Sequence, residues 1–137
     1  MERLLALCVC LAALSTAAHA ENLASISFGC APWDGQTLEI SVGAPDITYK
    51  ITVWGAGLTA LEKGATRITL GKGTNMAGNG HSSVCGTRDG GGCHSEALAV
   101  VFDKAELKEG GAVAGTLDFR GMPVPFSGVL HGGQPCG

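Results

Sequence analysis

The chain has 137 residues and is 45% hydrophobic but only 5% aromatic, with 22 glycines and a net charge of −3 from nine Lys and Arg against twelve Asp and Glu. It has no run of like charge, so it lacks the basic patch of a nucleic-acid surface and the polybasic stretch that docks on anionic lipid. The length suits one domain and is short for two.

Met1–Ala20 has the three zones of a secretory signal peptide. A short n-region carries Arg3, Leu4–Leu14 is uninterrupted and apolar, and Ser15–Ala20 ends in the small-x-small Ala18-His19-Ala20. An eleven-residue apolar helix rises about 16 Å, against roughly 30 Å for a bilayer core, so the expectation is a cleaved leader and not an anchor. Leu7 and Val9 precede Cys8 and Cys10 where lipid attachment requires small residues, so acylation is not expected. The mature chain is then residues 21–137, secreted or periplasmic, with no later stretch apolar and long enough for a helical span.

Cleavage leaves four cysteines: Cys30, Cys85, Cys93 and Cys136. An even count in a small exported domain reads as a disulfide framework. Of the three connectivities, the preferred one ties the domain ends through Cys30–Cys136 and closes a short loop through Cys85–Cys93. The crossed pairings stay open.

Period-two alternation dominates the mature chain and marks half-buried strands. It runs through Leu23–Phe28, Gln36–Val42, Asp46–Trp54, Thr66–Leu70, Glu96–Phe102, Ala112–Phe119 and Val124–Leu130, about seven strands. Asp34-Gly35, Gly43-Ala44-Pro45-Asp46 and Arg120-Gly121-Met122-Pro123 supply turn chemistry between them. Leu58–Lys63 and Asp103–Lys108 have the length of a single helical turn, the second with Asp103 as N-cap. No segment sustains a 3.6-residue period. The fold expected is all-β: a small antiparallel sandwich or barrel, disulfide-stapled.

Gly71–Ser95 carries no apolar periodicity and reads as a long glycine-rich loop restrained by Cys85–Cys93. Connections of this length are usually functional or disordered, and a loop on a rigid sheet is the first place to seek a site. Its candidate contacts are His81, Arg88, Asp89 and His94. The spacing His81…Cys85…Cys93-His94 offers nitrogen and sulfur ligands suited to zinc or copper. An oxidising compartment favours the disulfide, which leaves His81 and His94, with His131 or Asp89, as the residual metal candidates.

Other chemistry fails on pattern. Gly90 breaks the haem motif C-x-x-C-H, Val84 breaks the nucleophile elbow G-x-S-x-G, and Gly71-Lys72-Gly73-Thr74 lacks the P-loop spacing and its helix. No catalytic set emerges, and no cofactor is expected beyond that alternative metal. Trp33 and Trp54 are the candidate stacking surfaces, weighed against the commoner role of capping the core.

In size, export and strand pattern the chain resembles small exported bacterial β-domains such as the periplasmic lysozyme inhibitors. The resemblance is one of plan and carries no residues over. The function expected is a non-enzymatic binding module for a protein or cell-envelope component, using the 71–95 loop. The alternative is a zinc- or copper-binding protein centred on His81 and His94.

Overall fold

The computed structural model describes residues 22–71, 78–86, 91–133 and 136. The leader and the candidates Arg88 and Asp89 lie outside the described residues. Nine strands and one short helix follow in chain order: β1 Asn22–Cys30, β2 Gln36–Ala44, β3 Ile47–Val53, α1 Gly55–Glu62, β4 Arg67–Leu70, β5 Gly80–Gly86, β6 Cys93–Ser95, β7 Leu98–Ala105, β8 Ala112–Phe119 and β9 Met122–His131. They form one curled sheet, a half-barrel, in the order β4-β7-β8-β9-β1-β2-β3-β5-β6. No helix among the described residues is long and apolar enough to cross a membrane.

The all-β expectation holds, and each of the seven alternating segments is a strand. Two features differ. The segment read as a featureless loop contains β5 and β6, and the sheet is mixed, because β1 pairs β9 in parallel. A single bridge from Gly71 to His81 brings the two arms of the curl together at the seam between β4 and β5, where the Asn79 side-chain amide also donates to Thr69 O at 3.2 Å. The second helical-turn expectation fails: Asp103 sits inside β7, at the register shift between Phe102 and Lys104, and caps nothing. The first holds in part, since α1 covers Gly55–Glu62.

Alternation sends one side of every strand into the curl. Ile26, Leu38, Ile40, Val42, Tyr49, Ile51, Val53, Val100, Leu117, Phe126 and Leu130 are buried, and Leu58 and Leu61 of α1 close one end of this core. Tyr49 meets Phe119 at 5.8 Å between ring centroids. Phe102 and Phe126 lie opposite Gly115 on its two flanking strands, and their rings meet edge to face at 6.3 Å. A Cβ on Gly115 would stand 2.2 Å from the Val101 carbonyl oxygen, so this position requires glycine. The β8–β9 turn is two residues long, with Arg120 at φ 53° and Gly121 at φ 77°. Positive φ at both centres is the type I′ geometry that matches strand twist.

Both expected disulfides form. Cys30–Cys136 has Cα atoms 5.6 Å apart and joins the end of β1 to the C-terminal tail. Cys85–Cys93 links directly opposed residues of β5 and β6.

Candidate functional site

Apart from the exposed Leu23 and Val129 on β1 and β9, the outer face of the arm from β9 to β6 is mostly polar, because many of the residues between the buried apolar ones are serine, threonine, histidine, glutamate and lysine. Strand register collects them into two rows. His131, Ser27, Glu39, Thr52 and His81 stand opposite one another across β9, β1, β2, β3 and β5. Beside them run Ser25, Ser41, Lys50, Ser83 and Ser95, from β1 to β6. Residues directly opposite in a sheet share a face, so all ten project from one side.

A groove of about 310 Å³ opens on this face, lined by Ser25, Ser27, Glu39, Ser41, Lys50 and Thr52 with the backbone of Ile40 and Ile51 between them. That volume is at the small end of ligand sites. Among the described residues, no hydrogen bond engages the hydroxyls of Ser25, Ser27, Ser41 or Thr52, and neither Glu39 nor Lys50 makes an ion pair. Glu39 leans across β1, where its carboxyl lies over Gly29. A Cβ there would come within 2.6 Å of Glu39 Cδ.

The polar face continues onto the β5–β6 hairpin, which is fastened twice. Cys85–Cys93 holds the turn end. At the other end the buried Ser82 hydroxyl donates to Glu96 O, and the Glu96 amide donates to Ser82 O at 3.1 Å. Glu96 also accepts from Arg120 Nη2 at 3.0 Å, which ties the hairpin exit to the β8–β9 turn.

The histidines are not brought together. His81 shares the outer face with Ser83, whereas His94 stands opposite Val84, whose side chain packs on the core. The two imidazoles are therefore on opposite sides of the hairpin, and the disulfide withholds both thiolates. His131 does share a face with His81, but four strand spacings of about 4.8 Å separate them, too far for one ion. Among the described residues no group of three or more His, Cys, Asp or Glu is placed to hold a metal. The tryptophans likewise are not an open platform. Trp54 is 5% exposed, stands at the N-cap of α1, and meets the half-buried Trp33 edge to face at 5.2 Å between ring centroids.

Sequence reasoning missed the groove. Ser25, Ser27, Glu39, Ser41, Lys50 and Thr52 are each unremarked outward positions of a strand, and only the register makes them neighbours. Comparison with known protein families, with curated proteins and with solved structures finds no match.

Proposed function

We propose that this chain is an exported, non-enzymatic binding module, and that its contact surface is the polar outer face running from the groove to the β5–β6 hairpin. The observation that carries the reading is the convergence of four uncommitted hydroxyls, a carboxylate and an ammonium in one groove on a disulfide-tied scaffold. Surfaces held rigid before contact lose less freedom on binding, and both disulfides border this arm. The leader-like Met1–Ala20 and the even cysteine count of the remainder support export to an oxidising compartment. The partner is a protein or envelope component.

Two measurements test this. Intact-mass analysis of the protein made in its native host is expected to give a chain beginning at Glu21 with all four remaining cysteines oxidised; retention of Met1–Ala20 or free thiols would remove the export reading. Immobilised protein is expected to retain a specific component of the envelope or secreted fraction and to lose it on Ser83→Arg/Ser95→Arg, which puts bulk on the outer face without touching the core. Equal retention by that variant would move the contact surface elsewhere.

A further inference from the structure

We infer that the groove on β1, β2 and β3 is a subsite for a small zwitterion, a free dipeptide, with Glu39 receiving its ammonium and Lys50 its carboxylate. The inference rests on the binding-module reading and names what the groove itself accepts. Three observations point to it.

The first is the placement of opposite charges that do not consume one another. Glu39 stands opposite Thr52, two residues along β3 from Lys50, so the pair are diagonal neighbours about 7–8 Å apart at the backbone. Side chains of this length reach across such a gap, yet among the described residues neither makes an ion pair. The second is the reason they stay apart: Glu39 turns away from β3 to lie over Gly29 on β1, in space that any other residue's Cβ would occupy. The third is what lies in the groove with them. Ser25, Ser27, Ser41 and Thr52 each offer a hydroxyl that both donates and accepts and that no hydrogen bond engages among the described residues.

Charge complementarity decides the occupant. An anion alone leaves Glu39 facing like charge, and a cation alone does the same at Lys50. A neutral polyol pairs with the hydroxyls but discharges neither ion. A ligand that carries both an ammonium and a carboxylate pairs with both, and the hydroxyls take its remaining polar groups.

The test is an NMR titration of the isotope-labelled, disulfide-intact protein with diglycine, N-acetyldiglycine and diglycine amide. Diglycine is expected to shift the Ser25, Ser27, Ser41 and Thr52 amides saturably. Each blocked form should bind about tenfold more weakly, the scale of one hydrogen bond to a charged group. Glu39→Gln should abolish the preference over N-acetyldiglycine alone, and Lys50→Gln the preference over diglycine amide alone. Gly29→Ala keeps every charge but displaces the carboxyl, and should weaken diglycine while leaving N-acetyldiglycine unchanged. No saturable shift in the groove, equal binding of all three probes, or preferences that survive both charge removals each overturn the assignment. If partner capture by the outer face persists in that case, only the zwitterion subsite is lost; if Ser83→Arg/Ser95→Arg leaves capture intact, the contact surface is lost instead.

Discussion

Thr37 is 1% exposed and its hydroxyl has no hydrogen-bond partner among the described residues. A buried, unpaired hydroxyl carries a desolvation cost with nothing to offset it. Thr37→Val keeps the shape and removes the polar atom, and is expected to raise the unfolding free energy by about 1 kcal/mol in a urea titration. Gly115 makes the opposite case. A methyl there meets the Val101 carbonyl and the Phe102 Cα, which are backbone and cannot swing away. Gly115→Ala is expected to cost about 3 kcal/mol or more by the same assay, the size of a core overpacking defect. Glu106 sets a pH response. Its carboxyl is held below the ordinary glutamate range first by a hydrogen bond from Lys104, then by the Ala112 amide and the Lys104 charge, with slight burial acting the other way and Lys108 adding a little. A depressed folded-state pKa gives stability that is present above the unfolded glutamate value and is lost as pH falls through the folded one. Carbon-detected NMR should place the Glu106 midpoint below that of an ordinary exposed glutamate, and Lys104→Ala should move it upward.

At the level of elements, the β5–β6 hairpin shows where sequence patterning works and where it stops. The seven strands found by alternation carry two or more large apolar residues on the buried side. β5 places Gly80, Ser82 and Val84 there, so its inward set has one apolar side chain and the pattern disappears. β6 has three residues, too few to show any period. The usable signal was the Cys85–Cys93 pair, because a bond joining directly opposed residues brackets a hairpin as readily as a loop. Asp103 was misread for a related reason: a residue type that caps helices also suits a bulge, and the register shift that decides between them depends on β8. The candidate site was legible only in part. His81 and His131 do lie on the polar face, but the groove residues are joined by pairings that no local pattern encodes. Removing the staple with Cys85→Ser/Cys93→Ser should act locally. The Gly86 amide, which donates to Gly92 O, is expected to exchange about thirtyfold faster, corresponding to about 2 kcal/mol for a short closure. The Glu96 amide, held by the Ser82 clamp, should change less. Uniform acceleration at both would mean that the hairpin opens as one piece.

For the whole molecule, the decisive contact is the parallel pairing of β1 with β9, which runs from Asn22 opposite Phe126 to Ser27 opposite His131. It joins two arms whose backbones, among the described residues, are otherwise bridged at Gly71 and His81, beside the Asn79 to Thr69 hydrogen bond. Just beyond it, Cys30–Cys136 closes a loop of 106 residues, and the Glu109 carboxylate accepts from the Gly132 amide in the same tail. In the chain-entropy account a closure of this size is worth about 4–5 kcal/mol, so Cys30→Ser/Cys136→Ser should lower the global unfolding free energy by most of that amount, where loss of the hairpin staple does not. Equal global losses from the two pairs would show that the tail is not what holds the arms together. The same pairing has a consequence for how the molecule is made. A chain delivered from its N-terminal end presents β1 at once, with β2 soon available on one edge, while the other edge waits for the final strand. Until that strand arrives, the sheet exists as two halves and β1 offers unsatisfied backbone groups to any passing strand. Closure of the sheet is therefore a late step, set by when β9 reaches the open edge of β1.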